Sequence, residues 1–332
     1  KPRIHIPGAV YHVVLRSVDN QPLFADDEDY RYFCQLMHEG VERFDHRIHA
    51  FCLIPDHAHI AVQIGDISLS RVMQNLSFRY TRWFNNRHER KGPLFRGRYK
   101  AILVDGAAYL LELVRYIHLN PMRNGLVHVP IDYNWSSHRA YCGKQELLWL
   151  TTDHVLSQFD PHERIAMNRF QRFMVDGLSE KERDDLQRGG LVDRRVLGDE
   201  QFVAEALEAP VVKVGGAAEV RAVVDVVMEH YGITLWALKA PGKARLAAEA
   251  RAVAALSVLE GGYGTLTELG RLVARDLTTL SSAVSRLKTR LGGNGKLAEI
   301  VNRLWGFVEL ICRSGRRDPV HKDHSTGRGV KK

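Results

Sequence analysis

Two histidines that can bind a metal ion stand two residues apart in the segment Pro55-Asp-His-Ala-His-Ile60. Side chains two apart on a β-strand point to the same face, so His57 and His59 are predicted to lie side by side while the alternate residues pack into the core. Imidazole nitrogen is a good ligand for transition metals, and a bound divalent ion can polarise a phosphoryl oxygen. The pair can equally be two polar residues beside a turn, and it does not by itself decide between these interpretations.

A tyrosine with the chemistry of a nucleophile follows in the segment 107–120, where apolar and aromatic residues recur at helical spacing. Tyr116 and Asn120 are four residues apart and therefore lie on neighbouring turns of one helix face. A tyrosine oxygen can attack a phosphodiester to form a covalent phosphotyrosine, and the Asn120 amide oxygen can serve as a third metal ligand. Tyr109, on the same stripe, is the rival nucleophile, and Tyr116 can alternatively be a core residue. The helix is predicted to end at Pro121.

Basic and aromatic residues are interleaved between the histidine pair and the tyrosine. Residues 79–100 contain eight Lys/Arg and one Glu. Lys and Arg neutralise phosphates and aromatic rings stack on unpaired bases, which predicts single-stranded DNA as a partner. A solvated helix with core aromatics is the alternative. The basic residues predicted to contact DNA are Arg79, Arg82, Arg87, Lys91, Arg96, Arg98, Lys100 and, beyond the tyrosine, Arg123.

The elements that must position these residues are predicted from the pattern of residues 1–142. Strands are indicated at Val10–Leu15, Arg47–Leu53 and Ala58–Gln63, with a turn before the last of them. Acidic residues at 26–29 predict the start of a helix. The order of strand, helix, hairpin and then helices predicts an α+β sandwich.

The rest of the chain is predicted to be helical and then disordered. Residues 143–215 have helical periodicity with breaks at Asp160-Pro161 and Gly189-Gly190, and we interpret them as a connector. Residues 216–310 are rich in alanine and leucine and predict a compact all-α domain. Residues 311–332 are polar and basic, which predicts a disordered tail.

The bulk composition limits the class of protein. The chain has 332 residues, enough for two or three domains, and a net charge of +8, which favours a polyanionic partner. Its four cysteines form no C-x-x-C pair, so neither a zinc knuckle nor a disulfide framework is indicated. With no signal sequence and no apolar run of about 18 residues, the expected setting is the cytoplasm, without a membrane.

Several segments together resemble the REP-associated tyrosine transposases, which belong to the HUH single-tyrosine transposases. They are Pro55-Asp-His-Ala-His-Ile60, Gly97-Arg-Tyr-Lys100, Tyr116-Ile-His-Leu-Asn-Pro-Met-Arg-Asn-Gly-Leu126 and Trp135-Ser-Ser-His138. The resemblance spans about residues 3–142. It implies a ferredoxin-like sandwich with an antiparallel sheet, His57 and His59 as metal ligands, Tyr116 as nucleophile and Asn120 as a further ligand. Asp56, where the family often has Asn, and Ala58, where it has a bulkier residue, depart from the pattern without touching these roles.

Residues 217–291 resemble the DNA-binding domain of the bacterial replication initiator DnaA. The segments Thr265-Leu-Thr-Glu-Leu-Gly270 and Arg275-Asp-Leu-Thr-Thr-Leu-Ser-Ser-Ala283 resemble its helix-turn-helix. A recognition helix beginning near Asp276 would present Arg275, Thr278 and Thr279 to the major groove of duplex DNA. Leu277 stands where the initiator commonly has His, so a different sequence preference is expected. A helical bundle for protein contacts is the alternative.

The function implied is that of a transposase-type DNA transesterase of a bacterial, nucleoid-associated kind. It would cut and rejoin single-stranded or hairpin DNA through a 5′-phosphotyrosine intermediate, as relatives do beside repetitive extragenic palindromes. Mg²⁺ or Mn²⁺ is the expected cofactor. The alternatives are a DNA-binding regulator that has lost catalysis and a hydrolytic metallonuclease that uses activated water. The sequence does not indicate the oligomeric state.

Overall fold

The computed structural model describes residues 4–178, 183–209, 217–242 and 244–291, together with residues 300, 301, 303, 304, 306–308 and 311. It divides into two compact units, Lys1–Lys213 and Val214–Lys332. Apart from residue 311, the predicted basic tail at 311–332 lies outside the described residues. Among the residues that are described, no helix combines the length and apolarity needed to cross a bilayer.

The first unit is built on a sheet of five strands. They are β1 (Val10–Arg16), β2 (Arg47–Ile54), β3 (His57–Gln63), β4 (Lys100–Val104) and β5 (Val196–Leu197). The strand order is β2-β3-β1-β4-β5, with antiparallel pairing throughout except that β5 is parallel to β4. The predicted α+β class and its three strands are therefore confirmed.

The predicted antiparallel sheet is observed for β1 to β4, but β5 adds a parallel strand at its edge, and the sequence pattern missed both β4 and β5. β4 is a lysine followed by four apolar residues without alternation, and such a short apolar run does not distinguish a strand from a buried helical segment. β5 has only two residues and follows β4 after a long helical stretch. A crossover of that length permits parallel pairing, which a hairpin does not.

Three long helices complete the layers of this unit: α1 (Asp27–Phe44), α2 (Leu69–Arg87) and α3 (Gly106–Arg123). The order β1-α1-β2-β3-α2-β4 is the β-α-β-β-α-β order of ferredoxin-like folds. The acidic segment does start a helix, because the Asp26 side chain accepts from the backbone N–H groups of residues 28 and 29. α3 does not end at Pro121 but continues to Arg123, since a proline in the last turn removes only one intrahelical hydrogen bond.

The helices cover opposite faces of the sheet. Ile60 and Val62 of β3 face apolar side chains of α1 and α2, among them Leu36, Met37 and Val72. α3 packs against β1, β2 and β3 on the other face, the one that carries the histidines. The alternation of β3 thus separates a mainly apolar layer from the layer that holds the histidines.

Residues 143–178 and 183–209 contribute to the core of the first unit. After α4 (His138–Tyr141) come α5 (Asp153–Leu156), α6 (Glu163–Asp176), α7 (Asp184–Arg188) and α8 (Glu200–Glu208). Phe170 of α6 packs on Tyr141 with ring centres 4.8 Å apart. The segment interpreted as a connector therefore packs on the sheet domain and adds β5 to its edge.

The described part of the second unit is helical. It contains α9 (Ala217–Tyr231), α10 (Leu235–Lys239), α11 (Arg245–Gly261), α12 (Leu266–Val273) and α13 (Leu277–Leu291). α11 lies at its centre, packed against α9, α10, α12 and α13. A capping box between Thr265 and Glu268 starts α12, and residues 274–276 connect it to α13, with Ala274 in the left-handed region at φ 52°.

Candidate active site

His57 and His59 lie together on the α3 face of the sheet. Their ring centres are 5.1 Å apart and both side chains are buried. Nδ1 of His57 is 2.7 Å from Oδ1 of Asp56, which can only accept when ionised. Nδ1 of His57 therefore carries the proton, and its Nε2 keeps a lone pair.

A third histidine, His12 of β1, joins this pair, and the sequence analysis missed it. Val14 of β1 lies opposite His59, which puts His12, two residues away, on the same face. Nε2 of His12 is 2.8 Å from Nδ1 of His59, and its own Nδ1 is 2.7 Å from the Leu186 carbonyl oxygen. A polar residue inside the apolar run Val10–Leu15 was the signal that could have pointed to it.

All three histidines are neutral near pH 7. Burial lowers the pKa of His12 to about 4 and the pKa of His59 well below its usual value, where the neighbouring His12, His57 and Arg16 add to the effect. Burial also lowers the pKa of His57, although its hydrogen bond with Asp56 opposes the shift. Neutral imidazole is the form that binds metal ions.

Tyr116 of α3 packs edge-on against two of these rings. The centre of its ring is 5.6 Å from that of His12 and 5.8 Å from that of His59. Its side chain is 2% exposed. Tyr109, the rival nucleophile, lies instead against the Arg183 guanidinium, 5.6 Å from its ring centre. Of the two tyrosines, Tyr116 is the one that contacts the histidine cluster.

The side chains of Asn120 and Arg123 both contact the carbonyl oxygen of Tyr116. The Asn120 amide nitrogen donates to the Tyr116 carbonyl oxygen at 2.9 Å, which leaves the amide oxygen for another partner. The Arg123 guanidinium lies 5.1 Å from the Tyr116 ring centre, and one of its nitrogens is 3.4 Å from the same carbonyl. Arg123 therefore places a positive charge over the tyrosine ring.

The histidine pair supplies two of the ligands that a divalent ion needs. The neutral imidazoles of His57 and His59 lie on one face. In each of them Nδ1 makes a hydrogen bond, to Asp56 or to His12, and Nε2 keeps a lone pair that can bind a metal ion. Metal-binding histidines usually have their second ring nitrogen hydrogen-bonded in this way. No group of three or more His, Cys, Asp and Glu suited to a metal exists among the described residues, so a third ligand has to come from elsewhere, as from the Asn120 amide oxygen. The residues fit a borderline ion such as Mn²⁺ better than Mg²⁺, which prefers oxygen.

Positive side chains from several elements surround the histidines. Arg16 of β1 lies opposite His57 and is exposed, and Lys100 of β4 lies opposite Val14 and donates to the Gln187 carbonyl oxygen. The pKa of Lys100 is lowered by burial and by the charges of Arg16, Arg194 and Arg188. Arg16, Arg188 and Arg194 are cations that the sequence analysis did not assign to DNA.

Other basic residues predicted to contact DNA differ in how far their charges are already neutralised. Arg79 pairs with Glu39 at 2.5 Å, and Arg87 pairs with three acidic residues at the start of α1, Asp26, Glu28 and Asp29. Arg82 is an exposed residue of α2. The remaining three lie exposed in the loop between α2 and β4: Lys91, Arg96 and Arg98. In this loop, three exposed basic side chains are available to a phosphate backbone.

In the second unit, two of the three predicted DNA contacts have intramolecular roles. The Arg275 guanidinium donates to the carbonyl oxygens of residues 239, 240 and 274, and so caps the end of α10. The Thr279 hydroxyl donates to Asp276 at 2.6 Å. Thr278 is exposed on α13. Arg286, exposed two turns further along the same helix, was not predicted.

One family model matches the part of the chain that carries the histidines and Tyr116. Residues 6–120 match the model of a family described as "Transposase IS200 like", a stretch of about a third of the chain that includes His12, His57, His59, Tyr116 and Asn120. The match supports a transposase-type function and a DNA-cutting activity for this part of the chain. A solved structure described as "Structure of the REP associates tyrosine transposase bound to a REP hairpin" is similar at 15% identity and a TM-score of 0.38, over 45% of this chain and 94% of that one. No curated protein matches the chain.

Proposed function

We propose that this protein is a DNA transesterase that cleaves and rejoins single-stranded or hairpin DNA, with Tyr116 as its nucleophile. The observation that carries the proposal is the packing of the Tyr116 ring against His59, on the face that also holds His57. A phosphodiester held by a metal on the histidines would lie next to the phenol. The match of residues 6–120 to the transposase family supports the same chemistry.

The reaction is a transesterification, in which one phosphate ester bond forms for each one that breaks. The Tyr116 phenol oxygen bonds to the phosphorus while the bond from phosphorus to the 3′ oxygen breaks. The phenol proton is lost and the departing 3′ oxygen gains one, which leaves a 5′-phosphotyrosine and a free 3′-hydroxyl. Attack of a new 3′-hydroxyl on the phosphotyrosine reverses these steps and joins two strands.

His57, His59 and the Asn120 amide oxygen are the proposed ligands of Mn²⁺ or Mg²⁺, which when bound would withdraw charge from the phosphoryl oxygens. Asp56 holds the His57 ring by its hydrogen bond to Nδ1. Arg123, whose guanidinium lies over the Tyr116 ring, would contact the phosphate that approaches the phenol.

The strand leading to the site would lie along the basic residues that are not neutralised within the first unit. Lys91, Arg96 and Arg98 are exposed in one loop, and Lys100 and Arg16 lie beside the histidines. Tyr99 in the same region is only partly buried against the core, and its exposed part would be a stacking surface for an unpaired base.

The second unit is proposed to bind duplex DNA through α12 and α13 as a helix-turn-helix. Its support is the exposed part of α13, which carries short hydroxyl side chains and the cation Arg286: Thr278, Ser281, Ser282, Ser285, Arg286 and Thr289. Short side chains let a helix approach the base edges closely, and arginine reads guanine. This module would bring the nuclease unit to chosen sites.

The test is cleavage of a hairpin-bearing single-stranded oligonucleotide, labelled at either end, with Mn²⁺ or Mg²⁺. Wild type is compared with Tyr116→Phe, His57→Ala and the matched control Tyr109→Phe on a denaturing gel. We expect the 3′ label to migrate with the protein for wild type and Tyr109→Phe, and not for Tyr116→Phe, for His57→Ala or in the presence of EDTA, whereas the 5′ label should leave with the free 3′-hydroxyl fragment.

Each of the other outcomes points to a different nucleophile, mechanism or function. Cleavage that survives Tyr116→Phe without a covalent adduct would mean a hydrolytic nuclease, and an adduct lost only in Tyr109→Phe would move the nucleophile to Tyr109. Tight binding without cleavage of any substrate would favour a DNA-binding regulator.

A further inference from the structure

Residues 183–197 lie outside the stretch 6–120 that matches the transposase family, yet they are docked on the catalytic sheet. The backbone N–H of Leu103 donates to the Arg195 carbonyl at 2.7 Å, and that of Asp105 donates to the Leu197 carbonyl at 2.8 Å. The Leu186 side chain is fully buried in the same core. These contacts hold the backbone of α7 in a fixed position beside His12.

Two hydrogen bonds link the Leu186 carbonyl to His12 and His12 to His59, and a neutral His12 allows only one assignment of donor and acceptor to them. A carbonyl oxygen can only accept, so Nδ1 of His12, 2.7 Å away, carries a proton. In neutral His12 the other nitrogen, Nε2, is then an acceptor. Nδ1 of His59, 2.8 Å from it, must therefore carry a proton as well. It follows that Nε2 of His59 keeps its lone pair.

We infer that the Leu186 carbonyl, acting through His12, fixes His59 as the tautomer whose Nε2 can bind a metal ion. Its relevance to catalysis rests on the proposed function. His12 and Leu186 are positioning groups, since neither is proposed to touch the metal or the DNA. The segment Asp184–Arg188 is in this way a working part of the active site.

The Nδ1 atoms of His57 and His59 both donate to a hydrogen-bond acceptor, but the two acceptors come from different parts of the chain. Asp56, next to His57 in the chain, holds the proton of His57 on Nδ1. For His59 the equivalent acceptor is His12, on the neighbouring strand, and the group that orients His12 lies 174 residues further along the chain. Orientation of ligands by such partners typically changes metal affinity by roughly 10–100-fold.

The test is the tautomer of His59 in the full-length, metal-free protein without DNA. Histidines are labelled with ¹⁵N, and long-range proton–nitrogen correlations distinguish protonated from bare ring nitrogens. The signals of His59 are assigned from the spectrum of His59→Asn. His12→Phe removes the acceptor and keeps a ring, whereas His12→Gln retains a donor for Leu186 and an acceptor for His59. Mn²⁺ affinity is measured by calorimetry on the same proteins.

We expect wild-type His59 to be protonated at Nδ1 and bare at Nε2. His12→Phe should move the proton of His59 toward Nε2 and weaken Mn²⁺ binding by roughly tenfold or more, and His12→Gln should restore both. Leu186→Ala removes most of the buried side chain that holds the Leu186 carbonyl in position. It should change the His59 tautomer and the Mn²⁺ affinity in the same direction as His12→Phe, and it replaces that variant as the test if His12→Phe does not fold.

Two results would overturn the inference: a proton on Nε2 of His59 in wild type, or an unchanged His59 tautomer in both His12→Phe and Leu186→Ala when these are folded. The readout is independent of DNA cleavage. If the tautomer is as stated and no cleavage occurs with any substrate, the proposed function fails while the assignment of the hydrogen-bond chain remains.

Discussion

Arg16 and His57 face each other across the β1–β3 ladder, so an exposed guanidinium lies beside a buried imidazole of the candidate metal site. No acidic side chain among the described residues pairs with Arg16. Arg87, by contrast, is surrounded by Asp26, Glu28 and Asp29. Two arginines of the same unit therefore differ in whether their charge is available to DNA.

This difference predicts opposite phenotypes for two matched substitutions. Arg16→Gln should weaken binding of a single-stranded oligonucleotide about tenfold, the scale of one charge-assisted hydrogen bond of about 1.5 kcal/mol. It should also reduce the slope of log K against log salt by roughly 0.7, the effect of one phosphate contact on a single strand. Fluorescence anisotropy over a series of salt concentrations measures both.

Arg87→Gln should leave that salt slope unchanged and lower the melting temperature, because Asp29 is fully buried and would lose a partner. Thermal unfolding followed by circular dichroism is the measurement. A salt slope reduced equally by both substitutions would show that the ion pairs of Arg87 open when DNA binds.

The hydrogen bond between Asp56 and His57 predicts how metal binding responds at residue 56. Asp56→Ala removes the acceptor for Nδ1 of His57 and should weaken Mn²⁺ binding by roughly 10–100-fold. Asp56→Asn keeps an oxygen acceptor and should have a much smaller effect. Calorimetric titration with Mn²⁺ distinguishes the two. Equal losses would mean that the charge of Asp56 matters rather than its hydrogen bond.

The exposed face of α13 predicts which arginine of the second unit contacts duplex DNA. Arg286→Ala should weaken duplex binding about tenfold, since one base or phosphate contact contributes about 1–3 kcal/mol. Arg290→Ala, one turn on, is the control, because Arg290 pairs with Glu249 at 2.7 Å. The measurement is the affinity of the full chain for duplex DNA, first with a duplex of random sequence and then with a duplex selected for binding to the wild-type protein. A larger effect at Arg290 would contradict the proposed binding face.

A buried histidine outside the active site predicts that the first unit loses stability in mild acid. Burial lowers the pKa of His138 to about 4, and its neighbours are His118, Cys142 and Phe170. The unfolded chain takes up a proton near pH 6.5 and the folded chain only near pH 4. The free energy of unfolding should therefore be greatest above pH 6.5 and fall between pH 6.5 and 4, by up to about 3 kcal/mol from this residue.

Urea unfolding monitored by tryptophan fluorescence at pH 7 and pH 5 tests this, since three of the five tryptophans, Trp83, Trp135 and Trp149, are in the first unit. His138→Leu cannot be protonated and should show a smaller loss between the two pH values than wild type. His128→Leu, at an exposed position, is the control. An identical loss in His138→Leu would assign the acid sensitivity to other groups.

The sequence by itself determined the features that depend on local periodicity. The two-residue alternation of β3 is enough to place His57 and His59 on one face, and the helical spacing of α3 places Tyr116 and Asn120 on one stripe. Strand and helix periods are properties of the backbone, so they can be recognised before any long-range contact is known.

The tertiary structure alone decided which residues meet across distant parts of the chain. His12 reaches His59 through strand pairing, the Leu186 carbonyl reaches His12 from 174 residues away, and Tyr116 rather than Tyr109 faces the histidines. It also decided that the charge of Arg87 is neutralised while that of Arg16 is exposed. Register between strands and the docking of a later segment depend on packing of the whole core, which local pattern does not encode.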